Sequence, residues 1–293
     1  MNVQACVEHG CSLFEEAELF YGHGTDNAWD EAVYLVFTVL GLPFGYDDHS
    51  RQAVAQRQVT EQEWQRIDAL ARRRCHERTP MAYLLGEAWF AGLPFHVDER
   101  VLVPRSPIAE LILQQFQPLL ADPPGRVLDL CTGSGCIGIA TAMVFPQAQV
   151  DLADISVDAL AVAQQNIVRH GLQGRVHTVC ADLFAGVEGR YDLIVSNPPY
   201  VSAEEVAALP PEYQREPALG LLSDEDGLAI PLQILRQAAE HLNPGGVLVL
   251  ELGYTWALLD QRYPQLPVTW LDFDSGGEGV LAITRDALIR ADR

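Results

Sequence analysis

The chain predicts an α/β fold, a mostly parallel sheet preceded by a smaller helical region, and three observations carry that expectation. Beyond Arg105, short apolar runs of strand length alternate with segments of helical period. A glycine-rich turn follows the first of those runs and opens a helix. Before about Gly86 the apolar spacing is helical instead. At 293 residues the chain exceeds one typical domain, so two are expected, with ample material for a core.

In order, one helix starts at the cap Thr25 or Asp26, runs through Trp29, Val33, Val36 and Leu40, and stops at Gly41 with Pro43 beyond. Another opens with the capping box Thr60-Glu-Gln-Glu63 and ends in Arg72-Arg-Arg74, read as basic residues at a helix terminus. Residues 1–86 therefore form a helical domain with no ligand chemistry of its own. Residues 87–104 turn to β-prone pieces, Ala88-Trp-Phe90, Leu93-Pro-Phe-His-Val97 and Val101-Leu-Val103, expected as a hairpin linker. Residues 105–293 then read as a helix from Pro107 to Leu120 and strands at Arg126–Leu130, Val150–Asp154, Arg175–Cys180 and Tyr191–Ser196. Crossover helices at Cys136–Phe145 and Ser156–Gly171 imply parallel order. After a loop over 201–225 come a helix up to Leu242, a strand at Gly246–Leu252, and two strands near Val268–Phe273 and Val280–Thr284 joined by the turn Ser275–Gly279.

Composition narrows the function. The formal net charge is −21, so the chain repels polyphosphate and lacks the basic footprint of a binder of free nucleic acid, whereas it attracts a cationic protein. Six cysteines without C-x-x-C or zinc-type spacing indicate reduced thiols and no metal centre. The longest apolar stretch, Val33 to Phe44, is too short for a membrane span, and Met1-Asn-Val-Gln lacks the basic start of a signal peptide, so a cytoplasmic protein is expected.

Two motifs carry chemistry. The first strand ends in Asp129-Leu-Cys-Thr-Gly133-Ser-Gly135-Cys-Ile-Gly138, where glycines allow a tight turn and let a ligand approach the backbone and a helix N-terminus. As G-x-G-x-x-G with Asp154 after the next strand, it admits a nicotinamide oxidoreductase. Asp129 at the loop entry, Asp182 after the third strand and the turn after the fourth favour S-adenosylmethionine: Asp129 for the ammonium, Asp154 for the ribose hydroxyls, Asp182 for the adenine amine. That last turn is Asn197-Pro198-Pro199-Tyr200. Two successive prolines leave two nitrogens without hydrogen, and Asn197 adds a side-chain acceptor, so the turn forms a stiff, acceptor-rich cup beside an aromatic face. Such a cup suits a planar NH2 group.

Asp129 to Gly138, Asp154, Asp182 and Asn197 to Tyr200 together resemble the class I, seven-stranded S-adenosylmethionine-dependent methyltransferases, and among them the protein-glutamine N-methyltransferases. The resemblance spans about Arg78 to Arg285 and includes Arg78-Thr-Pro80, Tyr83, Gly86, Phe95, Glu216-Pro217, Gly227, Glu251-Leu-Gly253 and Gly276-Gly277. It is nearest to the branch acting on the third large-subunit ribosomal protein, because the linker reads Val103-Pro-Arg-Ser-Pro-Ile-Ala-Glu110, where the release-factor branch usually reads Pro-Arg-Pro-Glu-Thr-Glu. Cys131 replaces the glycine commoner in the broad methyltransferase loop.

The resemblance implies a seven-stranded Rossmann-like sheet and a helical substrate-recognition domain. It implies that S-adenosylmethionine is held by Asp129, Thr132, Gly133, Gly135, Asp154, Ile155, Asp182, Leu183 and Asn197. Asn197, Pro198 and Tyr200 form the catalytic set, and Pro199, Arg105 and Glu216 join them around the substrate. The expected partner is a basic ribosomal protein, with neither free nucleic acid nor a membrane involved. A release-factor glutamine methyltransferase and an adenine amino-methyltransferase, which can share the cup, are the competing activities; charge disfavours the second.

Overall fold

The computed structural model describes residues 1–45, 47–274 and 276–291. The chain forms two units, Met1–Ala88 with Pro210–Arg215, and Trp89–Leu209 with Glu216–Arg293.

The first unit is helical: α1 (Val3–Glu16), α2 (Ala28–Leu40), α3 (Asp48–Gln56), α4 (Glu61–Glu77) and α5 (Met81–Leu85). Helices α1, α2 and α4 bury Val7, Phe14, Leu35, Val36, Ile67 and Ala71 against one another, as amphipathic helices must to offset their ordering entropy. Helix α2 begins one residue later than expected, because Asn27 caps it by accepting a hydrogen bond from the Asp30 amide. The Thr60 capping box forms as read. The Arg72–Arg74 run is more than a helix end: Arg74 is buried, donating from Nε to Glu31 (2.6 Å) and from Nη1 to Glu212 (3.2 Å). A buried guanidinium requires such pairing, and its second carboxylate arrives on the distant segment 210–215, which local sequence cannot reveal.

β1 (Glu87–Phe90), which includes the boundary at Ala88, and β2 (Leu93–His96) form the expected two-stranded ribbon. Val101–Val103 adds no strand, since the Val103 amide donates to the Glu216 side chain (2.9 Å) rather than to a neighbouring backbone. The helix expected to reach Leu120 is only α6 (Ile108–Leu113). Gln115 and Phe116 turn to positive φ, and Pro118 disfavours helical backbone in the residue before it.

The seven-stranded sheet comprises β3 (Arg126–Leu130), β4 (Gln149–Asp154), β5 (Val176–Cys180), β6 (Tyr191–Ser196), β7 (Leu242–Glu251), β8 (Thr269–Leu271) and β9 (Val280–Thr284). Their order is β5-β4-β3-β6-β7-β9-β8. The first five run parallel, and β9 is antiparallel to both β7 and β8. The turn expected at Ser275 starts on a residue outside those described.

Helices α7 (Cys136–Val144), α8 (Val157–Arg169) and α10 (Ala229–His241) make the crossovers. Short helices α9 (Ala203–Ala208), α11 (Trp256–Arg262) and α12 (Arg285–Ala291) complete the set. Leu128, Leu130, Ile194, Leu248 and Leu250 of the central strands are fully or almost fully buried, as expected for a parallel sheet covered on both faces. Strand order reverses beside β3, between β4 and β6, and the carboxyl ends there are where open α/β sheets collect ligands.

Candidate active site

The turn after β3 is shaped by close approach. A Cβ on Gly138 would lie 2.2 Å from Leu152 Cδ2 and 2.9 Å from Asp129 Cβ, so only glycine lets α7 sit this near the sheet. Cys131, Gly133 and Gly135 all have positive φ, and open space lies where a Gly133 side chain would point. Gly135 is the N-cap of α7 and directs the helix N-terminus along the same turn.

Asp129 anchors this turn from inside. It is 1% exposed, and its Oδ2 accepts from Thr132 Oγ1 (2.6 Å) and the Gly138 amide (2.8 Å). Its other oxygen, Oδ1, is buried with no protein partner. Burial pushes this carboxyl up to about 7 against those two hydrogen bonds. Asp154 ends β4, accepting from the Gly133 amide on Oδ2 and the Ser156 amide on Oδ1, both at 2.9 Å; burial raises it too. Ile155 is exposed immediately beyond, Asp182 is exposed two residues past β5, and Leu183 is buried with positive φ. The structure thus gathers Asp129, Thr132, Gly133, Gly135 and Asp154 through direct contacts around one turn, with Asp182 at the end of the next strand. Cys136 beside the turn is a poor nucleophile, its thiol pushed up to about 12 by burial.

Asn197–Tyr200 leaves β6 next to these groups. Ser196 Oγ donates to the Leu130 carbonyl (2.6 Å), binding the end of β6 to β3. Pro198 and Pro199 are buried, Asn197 and Tyr200 half-buried. The Tyr200 carbonyl accepts from Thr255 Oγ1 (2.8 Å), and its hydroxyl donates to Glu251 (3.2 Å). A cleft of about 480 Å³ opens at this point, lined among others by Pro107, Tyr200, Glu251, Tyr254 and Glu278. Glu251 was legible only as part of a family motif; as a solitary acid closing an apolar strand it carried no signal of its own.

Arg105 and Glu216 come together as a pair. Arg105 Nη1 and Nη2 donate to Glu216 Oε1 and Oε2, at 2.7 and 2.6 Å. Glu216 also takes the Val103 amide, so it clamps the segment after β2 to the loop that follows Tyr200. Within that loop the Val201 amide donates to Leu221 and the Ser223 amide to Val201.

The chain is similar to known proteins. The family model of the Methyltransferase small domain matches residues 108–209. A ribosomal protein uL3 glutamine methyltransferase from Neisseria gonorrhoeae is 49% identical over 98% of this chain and 96% of its own length. Another of that name, from Francisella tularensis, is 45% identical over 93% of this chain and 86% of its own. Among solved structures, the hMettl16 catalytic domain in complex with MAT2A 3′UTR hairpin 6 shares the fold alone, with TM-score 0.52 and 16% identity over 76% of this chain and 81% of that one. A methyltransferase architecture thus sets aside the nicotinamide enzyme that the glycine turn admitted, and the near full-length identity decides the rest: the chain belongs to the ribosomal protein uL3 glutamine methyltransferase family.

Proposed function

We propose that this chain transfers a methyl group from S-adenosylmethionine to the side-chain amide nitrogen of a glutamine in ribosomal protein uL3. The observation that carries this reading is the acceptor turn Asn197–Tyr200 set beside the acid-lined glycine turn at one end of the sheet, in a chain of this family.

The residues fit the cofactor. The buried, unpartnered Oδ1 of Asp129 needs a cationic donor, which the methionine ammonium supplies. Asp154 keeps acceptor capacity for ribose hydroxyls, since each oxygen uses one lone pair on a backbone amide. Ile155 offers an exposed apolar surface for the adenine, and Asp182 an acceptor for its amine. Thr132 and Gly135 hold the turn, and Leu183 is buried in the core after β5. When bound, S-adenosylmethionine supplies the electrophilic sulfonium methyl.

The chain's own residues must make an amide nitrogen nucleophilic, although its lone pair is delocalised into the carbonyl. Asn197 Oδ1 and the Pro198 carbonyl each accept one amide hydrogen, which aims the nitrogen and stabilises its developing positive charge until one of those hydrogens leaves as a proton to solvent. Tyr200 covers the planar amide, Pro199 keeps the turn rigid, and the Arg105–Glu216 clamp shapes the wall beside it. The −21 charge steers a basic ribosomal protein toward the enzyme and disfavours free nucleic acid. The helical unit serves in recognising that partner. Among the described residues no helix is long and apolar enough to cross a membrane. The uL3 substrate places the enzyme in the cytoplasm, where it acts before the large subunit assembles.

Calorimetry combined with single-turnover methylation tests this. Asn197→Ala is expected to lose methyl transfer to uL3 while keeping most of its S-adenosylmethionine affinity, because Asp129, Asp154 and Asp182 carry the main polar contacts to the cofactor. Normal transfer by that variant would remove the acceptor role of the turn.

A further inference from the structure

The mechanism above requires that Asn197 present its side-chain oxygen, not its nitrogen, to the incoming amide. An asparagine side chain can sit either way round, and the hydrogen-bond partners at its other end decide which. We infer that Glu251 is the positioning residue that makes this choice: its carboxylate receives the Asn197 NH2 and thereby turns the Asn197 oxygen toward the substrate. The inference rests on the proposed glutamine-methylating function and deepens it.

The sheet register places the two residues together. β6 and β7 are parallel neighbours with Ser196 opposite Leu250, so Asn197, the first residue past β6, comes beside Glu251, the last residue of β7, at the ligand-binding end. Glu251 is 5% exposed. Its Oε2 accepts from Ser106 Oγ at 2.5 Å, its Oε1 accepts from the Tyr200 hydroxyl at 3.2 Å, and the Asn197 side chain is close enough to favour its ionised form. An ionised carboxylate has no hydrogen to offer, so the part of Asn197 that faces it must be the NH2. Reversing the amide would set oxygen against oxygen at Glu251 and NH2 against NH2 at the substrate.

Tyr200 is fixed by the same group. A Cβ on Gly253 would lie 2.6 Å from the Tyr200 ring, so the ring is packed directly on the backbone that follows Glu251. One carboxylate thus orients both polar side chains of the acceptor turn.

The arrangement makes the turn sensitive to pH. Burial pushes Glu251 up to about 7, against hydrogen bonds from Ser106, Tyr200 and Asn197 and the positive charge of Arg105. Glu278 is the other acid lining the cleft. Above the titration the carboxylate accepts from all three neighbours. Below it, one oxygen becomes a donor, the remaining acceptor is uncharged, and the hold on Asn197 weakens. Methyl transfer should therefore rise as pH increases through about 7.

The test uses the full chain, uL3 and saturating S-adenosylmethionine, which keeps Asp129 engaged and out of the profile. Glu251→Gln is expected to bind cofactor normally, keep its KM for uL3, slow single-turnover transfer about 10- to 100-fold, less than loss of a direct charge-stabilising contact, and lose the inflection near neutrality. Ser106→Ala keeps Glu251 and removes one donor, so its inflection should move to higher pH; this measurement stands if Glu251→Gln does not fold. A Glu251→Gln enzyme with wild-type rate and profile, or one whose loss is matched by lost cofactor affinity and thermal stability, overturns the positioning role. So does an unmoved inflection in Ser106→Ala. If Asn197→Ala is inactive in the same series, the methyl-transfer reading survives that result; if wild-type enzyme fails to methylate uL3, that reading itself is lost.

Discussion

Replacing Asp129 by asparagine should make the cofactor-free protein more stable while it damages cofactor binding. A carboxyl that titrates near 7 when folded and near 3.9 when unfolded binds more protons in the folded state between those values, so folding stability falls as pH rises through that window. The full shift corresponds to about 4 kcal/mol above pH 7, at about 1.36 kcal/mol per unit. Asparagine carries no charge to desolvate and removes this dependence. Against it, the two contacts to Thr132 and the Gly138 amide weaken by about 1 kcal/mol each as the acceptor becomes neutral. The net gain is about 2 kcal/mol, or roughly 4–8 °C in Tm for a unit of this size, measured at pH 8 by thermal and denaturant unfolding. At pH 4 the gain should vanish, because wild-type Asp129 is then protonated when folded. Calorimetry should show the opposite sign for binding: loss of a charge-assisted contact of about 1.5–3 kcal/mol weakens S-adenosylmethionine about 10- to 150-fold. A variant less stable than wild type at pH 8, or one with unchanged cofactor affinity, would refute the reasoning.

Gly138→Ala forces a methyl into Leu152 at 2.2 Å, and overpacking of this kind should lower stability by about 1–3 kcal/mol and weaken cofactor binding as α7 is displaced; a thermal melt matching wild type would contradict the close approach. Glu216→Ala leaves Arg105 and the Val103 amide without their shared acceptor, which should lower stability by about 3 kcal/mol and expose the 201–225 loop to limited proteolysis; an unchanged cleavage pattern would show that the clamp does not hold that loop. Association with basic uL3 should slow as ionic strength rises past about 0.1 M, where the Debye length is about 10 Å; a salt-independent on-rate would discard charge steering.

Much of the fold is written locally. The five parallel strands, the glycine turn, Asp129, Asp154, Asp182 and Asn197–Tyr200 are legible because an apolar run, a turn residue and an acid at a strand end lie close together in the chain. Helix α9 was also legible in principle, since Ser202 and Glu205 form a capping box that a loop reading over 201–225 passes by. The remainder depends on partners far along the chain. Arg74 looks like an ordinary helix end until Glu212 reaches it across 138 residues. Val103 looks like a strand residue until Glu216 takes its amide. Glu251 gains meaning only from the pairing of β7 with β6, which sets it beside Asn197 although the two are separated by a crossover helix.

The most direct measurement offers purified uL3 and a purified peptide-chain release factor together to the enzyme with labelled S-adenosylmethionine, and locates the label by mass spectrometry. The acceptor turn and the family relationship predict one methyl group on the side-chain amide of a uL3 glutamine, with the release factor unlabelled. Label on the release factor alone, or on any group other than a glutamine amide, would contradict the proposed activity.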